Sequence, residues 1–453
     1  MTAVVRAFVR HRAAVCCVQR RNAAADPGAD RLDVVSGDVR PETTDPIADA
    51  RRILGAAMPD ADLELRRRGE PLSVSDGGTD RTVHPVLFEA AGRDPPAHRS
   101  PDAVEWLRPT AFLTGRTVPG LWESYRRVAP DVDAIRTDGT HGAAWLSLRA
   151  LEVLRDAAGA VAFGAQGDET GENGGDENRE EDESGGEDEN GEVDENEIDR
   201  VRTVARDLRD ARPSMVVVRN RIDRVMDAAD GTPRAVHDRA IDALDDALDA
   251  DRLAAERAAG LIADESGRVA TLSRSGTVAE AIRAAGRAAV VGESRPAREG
   301  VTAAERLAAA GVDVALTTDA ALPGRVRDDD AGCVLLGADR ILPSGDAVNK
   351  VGSYPLALAA ADAGVPAYVV AAADKVAAED EVVVEAGDPS TVYDGDAPVS
   401  VENPVFERVP GDLLSGVVTE EGTLDREAIA ARARGHEERA SWVECAGSDG
   451  GTE

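Results

Sequence analysis

Lysine is almost absent from this chain of 453 residues, in which only Lys350 and Lys375 occur. Aromatic residues make up 3% of the sequence, and no uninterrupted apolar run approaches the roughly 18 residues that a membrane-spanning helix needs. Arginines interrupt the apolar part of residues 1–21, MTAVVRAFVRHRAAVCCVQRR, which argues against a signal peptide and favours a strand. We therefore expect a soluble, cytoplasmic protein that does not bind a membrane.

Cysteine is also scarce, and none of the four cysteines is spaced from another cysteine or histidine as zinc ligands are. Cys16, Cys17 and Cys333 lie in strand-like runs, where packing in the core of a protein from a reducing compartment is the default role. The six histidines are scattered along the chain. The sequence thus predicts no metal site and no cofactor.

Acidic residues dominate what is present, since 86 Asp and Glu against 52 Lys and Arg give a formal net charge of −34. Such a surface stays hydrated when salt screens its charges, which is typical of proteins from salt-loving cells. The same charge argues against direct binding of nucleic acid, because that function needs a basic face.

Nearly half of the net charge lies in residues 167–199, which contain 17 Asp and Glu and one Arg. A segment of this composition cannot bury enough apolar surface to offset its ordering entropy, so we expect it to be disordered. Helical periodicity on both sides predicts that it is a loop inserted into a helical region. An acidic interaction tether is the alternative to a merely tolerated loop.

Patterning along the chain predicts an α/β protein of several parts. Strand-like runs with one helix occupy residues 1–128, and a helical part occupies 129–258. From 259 to 436, short apolar strands alternate with Ala-rich helices (RVATL, AAVVGE, DVALTT, CVLLGAD and PAYVVAAA), which is typical of a doubly wound parallel, Rossmann-like sheet. Residues 437–453 form a polar tail that we expect to be frayed.

Polar residues follow these strands at the sheet edge where ligands bind in open parallel sheets. In chain order they are Ser273, Arg274, Ser275, Gly276, Thr277, Ser294, Arg295, Asp319, Asp339, Asn349, Lys350, Asp374 and Lys375. We expect Asn349 and Lys350 to open a helix. Both lysines of the chain are on this list, and a compact ammonium in a lysine-poor protein favours a role in binding phosphate.

The stretch Ser275-Gly276-Thr277 has the composition of an anion cradle. Gly allows close approach of the backbone, the hydroxyls donate hydrogen bonds, and the first N–H groups of the following helix point at the ligand. An ordinary helix N-cap is the alternative. The cations that we place at the same edge favour the phosphate site.

Several ordered motifs resemble the initiation factor 2B alpha/beta/delta-like family, namely RPSM, TLSRSGTV, GESRPAREG, LLGADRI, VNKVGSYPLAL and NPVFERVP. That family includes regulatory subunits of a translation factor, ribose-1,5-bisphosphate isomerase and methylthioribose-1-phosphate isomerase. The resemblance covers about residues 134–430. It implies a small phosphorylated sugar or nucleotide as ligand, and a homo-oligomer.

In the isomerases of this family, a cysteine and the aspartate of Gly-Ala-Asp are the acid/base pair that interconverts aldose and ketose. The aspartate corresponds to Asp339, but Ser273 stands at the cysteine position. A serine hydroxyl is a far weaker acid than a thiol, so catalysis by Ser273 should be slow. The resemblance therefore favours a regulatory binding protein, with an active aldose–ketose isomerase as the alternative.

The family's sugar-phosphate contacts correspond to Ser275, Gly276, Thr277, Asn349, Lys350 and Lys375, joined by Arg212 of the RPS motif. An Arg-Gly-Ala segment of the isomerases reads His141-Gly142-Ala143 here. His141 would replace the lost arginine when protonated, or it is an ordinary residue at a helix start.

Residues 1–128 more loosely resemble a Nudix fold, in which VVSGDVRPETTDPIADARRILGAA aligns with the Nudix box. Gly37 and Arg51 fit that pattern. Thr43, Arg52, Gly55 and Ala56 stand where metal-binding carboxylates should be, and Glu42 is one residue out of register. The resemblance implies a degenerate Nudix-like domain, with a Nudix hydrolase of unusual metal set as the alternative.

Overall fold

The computed structural model describes residues 2–20, 31–40, 45–76, 78–92, 104–164, 195–328, 331–382 and 386–446. The chain divides into two compact units. Unit 1 comprises Met1–Asp131, Glu152–Val204 and Asp230–Asp238, and unit 2 comprises Val132–Leu151, Ala205–Ala229 and Arg239–Glu453. None of the helices in the described ranges has the length and apolar character needed to cross a bilayer.

The N-terminal part of unit 1 is a mixed sheet with helices on both faces. Its strands are β1 Thr2–His11, β2 Ala14–Arg20, β3 Arg31–Asp33, β4 Val35–Asp38, β5 Leu63–Arg68, β6 Leu72–Asp76, β7 Thr79–Ala90 and β8 Val104–Leu107. Its helices are α1 Pro46–Ala57, α2 Ala111–Thr114 and α3 Leu121–Arg126. Helix α1 begins at Pro46, where the Asp45 side chain accepts from the Ile47 N–H and the proline suits the first turn.

Strands β1 and β7 are parallel at the centre of this sheet, and the order along its main path is β3-β2-β1-β7-β5. One apolar cluster packs α1 against the sheet through Ala50 and Leu54. A second cluster packs Phe112 and Tyr125 of α2 and α3 against Phe8. Cys16 and Cys17 are buried in these clusters, as predicted from their strand-like surroundings.

Five helices follow, in agreement with the predicted helical part: α4 Val132–Thr137, α5 Ala143–Gly164, α6 Glu195–Ala211, α7 Val216–Ala228 and α8 Pro233–Ile262. The remaining strands are β9 Arg268–Thr271, β10 Ala289–Gly292, β11 Val314–Thr317, β12 Ala331–Leu336, β13 Arg340–Ile341, β14 Ala347–Lys350, β15 Ala367–Val370, β16 Phe406–Val409, β17 Gly416–Thr419 and β18 Gly422–Leu424. The remaining α-helices are α9 Gly276–Ala284, α10 Glu299–Ala309, α11 Leu322–Arg327, α12 Ser353–Ala363 and α13 Arg426–Arg439.

The main sheet of unit 2 has the order β11-β10-β9-β12-β15-β17-β18, and its strands are parallel except for β18. Alternate residues of the strands face two separate apolar cores. One core contains Leu356 and Ile429 of α12 and α13, and the other contains Ala255 and Val278 of α8 and α9. The predicted parallel α/β sheet with helices on both faces is confirmed.

The chain order of this sheet reverses between β9 and β12, which are neighbours in the sheet but far apart in sequence. Loops that leave adjacent strands in opposite directions open a crevice at such a point. The loop after β9 begins at Leu272 and the loop after β12 begins at Gly337. A small antiparallel sheet, β13-β14-β16, follows directly after the second of these loops.

The structure differs from the sequence predictions at three places. Asn349 and Lys350 end strand β14 rather than opening a helix, because Gly352 turns the chain with a φ of +104° and α12 begins only at Ser353. Residues 195–199 belong to helix α6 rather than to the acidic loop. The chain stays ordered beyond 437, where the Trp442 indole N–H donates to Asp223 at 2.9 Å.

Several sequence predictions lie outside the described residues. They concern the acidic segment up to 194, Glu42 and Thr43 of the Nudix-like box, and the tail from 447. The predicted domain ranges remain predictions of domain organisation.

Candidate functional site

The turn after β9 has an unusual backbone at Ser273, whose φ is +65°. This left-handed conformation is uncommon for residues other than glycine, and it occurs mainly where the surroundings impose it. Two residues later, Ser275 caps helix α9, since its Oγ accepts from the Val278 N–H at 3.3 Å. The N-cap reading of the turn is thus correct. A cap does not exclude a bound anion, since other N–H groups of the first turn remain available.

Two side chains of the neighbouring loops hold Ser273 in place. The Ser294 Oγ, after β10, accepts from the Ser273 N–H at 2.6 Å. The Asp319 carboxylate, after β11, accepts from the N–H groups of Ser294 at 2.7 Å and Arg295 at 2.6 Å. Ser294 is fully buried and is itself left-handed, with a φ of +63°. The ends of three adjacent strands are therefore tied together by hydrogen bonds.

The loop after β12 lies directly against the Ser275 turn. A Cβ added to Gly337 would come within 2.9 Å of the Ser275 Cβ, so only glycine fits there without a shift. Asp339, two residues on, is anchored by its N–H, which donates to the Val348 carbonyl at 2.9 Å. A small cavity beside Asp339 is lined by apolar side chains that include Met215, Val348 and Phe406.

Lys375 reaches the same loop from the end of β15. Its Nζ donates to the Ala338 carbonyl at 2.6 Å, and the residue is 9% exposed. The preceding residue, Asp374, is also buried, with Arg221 Nε at 3.0 Å and Arg224 Nη1 at 3.1 Å from its carboxylate oxygens. Asn220 of the same helix, α7, donates to the carbonyls of Asp374 and Val376.

Burial by itself would raise the pKa of Asp374, but Arg221 and Arg224 hold it below the usual range of an aspartate. Asp374 is therefore an anion at neutral pH, with its charge balanced inside the unit. Helix α7 thereby fixes the 3-10 turn Ala373–Lys375 and, through Lys375, the loop that carries Asp339.

Lys350, the other lysine, lies at the end of β14 with 7% of its surface exposed. Its Nζ is 2.8 Å from Glu299 Oε1 at the start of α10, and 5.6 Å from the centre of the Phe406 ring. The adjacent Asn349 donates to Ser353 Oγ at 2.9 Å. Glu299 was not among the candidates from sequence.

The segment before α5 carries His141 on a well-defined support. Asp138 Oδ2 is 2.7 Å from His141 Nδ1, and the imidazole stacks on the Trp145 ring at 3.9 Å between centroids. Burial raises the pKa of Asp138, but hydrogen bonds from the His141 N–H and imidazole outweigh it, so that the pKa is lowered. Gly142 follows at the helix start, with open space around its Cα.

Two arginines tie this segment to the rest of the site. Arg212 donates to the Asp138 carbonyl, and Arg274, next to Ser273, donates to the Thr140 carbonyl. Three further candidates from the sequence are Gly276, Thr277 and Arg295. Thr277 is buried and lies 3.5 Å from Asp251, Gly276 has open space beside its Cα, and Arg295 has an exposed side chain near the Thr391 carbonyl.

The structure thus links most of the residues named from sequence by direct contacts within unit 2. Ser275 contacts Gly337, Lys375 contacts the residue before Asp339, and Arg212 holds the segment of His141. Arg295 joins through its N–H alone. In open parallel sheets, ligands bind beyond the carboxyl ends of the strands at a reversal of strand order like that between β9 and β12.

A comparison with known families gives this site a context. Residues 139–426, more than half of the chain, match the model of the Initiation factor 2 subunit family. The chain belongs to this family. The site residues named from sequence, from His141 to Lys375, fall inside the matched range, which agrees with the resemblance of its motifs.

Among curated members, the methylthioribose-1-phosphate isomerase of Xanthomonas euvesicatoria pv. vesicatoria is 37% identical over 133 residues, or 26% of this chain and 37% of that protein. The methylthioribose-1-phosphate isomerase of Pseudomonas syringae pv. syringae is also 37% identical over 133 residues, or 27% of this chain and 37% of that protein. The chain thus spans little more than a third of the length of these relatives.

Among solved structures, the translation initiation factor eIF-2B of Pyrococcus horikoshii OT3 is similar with a TM-score of 0.51 and 25% identity. The similarity covers 65% of this chain and 94% of that one. The likeness to a protein of this kind therefore extends to the fold of 65% of this chain.

Sequence reasoning missed three residues that shape this site. Arg221 and Arg224 were not singled out, because nothing local marks an arginine that acts on a distant loop. Glu299 lies in the motif GESRPAREG, five residues after Ser294, and an acidic residue at a helix start is a signal that could have identified it. Ser294, Asp319 and Asp374 were noted after their strands but were given no role.

We expect Asp374→Asn to lower the free energy of unfolding by about 3 kcal/mol at pH 7, because it leaves the buried guanidinium of Arg221 and the partly buried one of Arg224 without their counter-ion. Since the folded pKa of Asp374 is lowered, its stabilisation is complete above the unfolded carboxyl pKa and is lost as pH falls through the folded value. Denaturant unfolding at several pH values measures both effects. Asp249→Asn, which breaks an exposed pair with Arg252, should change stability by less than about 0.5 kcal/mol.

Proposed function

We propose that unit 2 binds a small phosphorylated sugar or nucleotide monophosphate in the crevice between the β9 and β12 loops. The observation that carries this proposal is the position of the chain's only two lysines, Lys350 and Lys375. Both are buried, although lysine is among the residues least often buried in proteins. Lys375 binds the loop that packs against the Ser275 turn, and Lys350 is paired with Glu299 of helix α10. A buried ammonium group near an N-cap turn suits a phosphate ester.

The role that fits this site best is regulatory binding rather than turnover. Ser273 stands where an isomerase of the family has its acid/base cysteine, and its hydroxyl does not ionise near neutral pH. The Ser273 N–H is already taken up by Ser294, so the backbone at this position is arranged for rigidity. Asp339 would then contact the ligand, and the Ser273 hydroxyl would exchange no proton with it.

An aldose–ketose isomerase is the second candidate, because the curated relatives are named methylthioribose-1-phosphate isomerases. In that case Asp339 is the general acid/base and Ser273 its weak partner.

The resemblance also implies a cytoplasmic homo-oligomer, and the composition implies a salt-rich environment; these remain predictions.

We infer that residues 1–128 are a Nudix-like module that does not hydrolyse nucleotides. Gly37 packs against Ile53 of α1, as a strand-to-helix motif of this kind requires. On that helix, however, the buried Asp49 is bound by Arg40 Nε at 2.8 Å and Arg52 Nε at 3.0 Å. A carboxylate held between two guanidinium groups does not fit as a ligand of a divalent cation.

Lys350→Ala should weaken the binding of ribose 5-phosphate about 30-fold or more, because the variant loses the ammonium and leaves Glu299 unpaired beside the ligand. Calorimetric titration in high salt measures this affinity directly. Arg306→Ala removes one exposed cation from unit 2 and should leave binding unchanged. Equal affinities of wild type and Lys350→Ala would contradict the assigned site.

Isomerase activity separates the two candidate functions. With ribose 1,5-bisphosphate and methylthioribose 1-phosphate as substrates, we expect no turnover by wild type and measurable turnover by Ser273→Cys, since a thiol can ionise near neutral pH. Adding Asp339→Asn to that variant should abolish the activity. Wild-type turnover that depends on Asp339 would instead make the protein an isomerase.

The Nudix-like module should release no product from nucleoside diphosphate derivatives in the presence of magnesium or manganese. The assay uses the full chain with ADP-ribose, with phosphate-containing products followed by chromatography. Hydrolysis that disappears in Asp49→Asn would show that the module is active after all.

A further inference from the structure

Glu299 forms a contact with Lys350 that bears on which ligands the site accepts. Its Oε1 lies 2.8 Å from the Lys350 Nζ, and the two side chains are 21% and 9% exposed. The second oxygen, Oε2, is buried and has no hydrogen-bond donor among the residues that the structure describes. Among the described residues, the Glu299 carboxylate therefore pairs only with Lys350.

The position of Glu299 is fixed by the fold around it. It is the first residue of α10, an 11-residue helix whose dipole favours a negative charge at this end. The next residue, Gly300, packs so closely on the end of β10 that a Cβ would lie 1.8 Å from the Gly292 carbonyl oxygen. The helix start cannot retreat from Lys350 without disrupting that packing.

The surroundings of Glu299 strengthen the electrostatic effect of its negative charge. Phe406 lies against the Lys350 ammonium, and both charged side chains are largely removed from water. At low effective dielectric, a carboxylate a few ångströms from a bound phosphate opposes it by more than it would in water. An anion that binds Lys350 must therefore overcome a negative charge that is already there.

We propose that Glu299 is a built-in counter-ion of Lys350 that weakens the binding of every phosphate anion, so that only phosphate esters whose sugar makes additional contacts bind tightly. This inference rests on the proposed binding function. Inorganic phosphate has only its charge to offer, and Glu299 cancels most of the attraction that Lys350 provides. A phosphorylated sugar adds hydroxyl contacts with the crevice, and these offset the penalty.

Glu299→Gln tests the proposal because it removes the charge and keeps an oxygen that accepts from Lys350. Affinities for ribose 5-phosphate and for inorganic phosphate are measured by calorimetry at fixed ionic strength. We expect both to rise about tenfold or more in the variant. In wild type, the inorganic phosphate ion should bind at least about a hundredfold more weakly than the sugar phosphate.

Glu305→Gln is the matched control, since it removes the same charge from an exposed position of the same helix and should change neither affinity. Unchanged or weaker binding by Glu299→Gln would overturn the proposal and show that Glu299 only positions Lys350 or contacts the ligand. If neither wild type nor any variant binds either compound, the proposed function fails together with this inference. If wild type binds ribose 5-phosphate and Lys350→Ala does not, the proposed function stands. The affinities of Glu299→Gln then test the role of Glu299 by itself.

Discussion

Asp374 and its two arginines form the interaction on which the candidate site depends. Arg221 and Arg224 come from helix α7, while Asp374 belongs to the turn after the fifth parallel strand of the sheet. Their attraction in a buried setting keeps the carboxylate ionised and holds that turn against the helix. Lys375 is thereby aimed at the Ala338 carbonyl, next to Asp339. Without the ion pairs, Lys375 would lose the support that holds it against the loop of Asp339.

The same device recurs around the crevice, where cationic side chains hold loops by their carbonyl groups. Arg212 and Arg274 each bind a carbonyl of the segment before α5, and Arg340 binds the carbonyls of Glu381 and Pro213. In the loop after β10, the N–H groups of Ser294 and Arg295 donate to the Asp319 carboxylate. Loops fastened in this way are pre-organised, so a ligand does not have to order them on binding.

Much of the architecture could be predicted from local patterns. Short apolar runs such as CVLLGAD gave the positions of β12 and the other parallel strands, because a strand buried on both faces needs apolar residues at every position. The rule for parallel sheets then placed Ser275, Asp339 and Lys375 at one edge. The prediction failed at Asn349 and Lys350, where Gly352 delays the helix and a β-strand pairs with β16 instead. That pairing is a long-range contact that no local pattern reports.

The sequence by itself determined the family motifs, the serine at the acid/base position and the presence of only two lysines. These are matters of residue identity, and identity sets which protons a side chain can exchange and which charge it carries. Only the tertiary structure decided how those groups are held: Ser273 by Ser294, Lys375 by the ion pairs of Asp374, and Lys350 by Glu299. The two members of each pair lie between 21 and 153 residues apart in the sequence. Only folding therefore brings their charges and hydrogen-bonding groups within reach of each other.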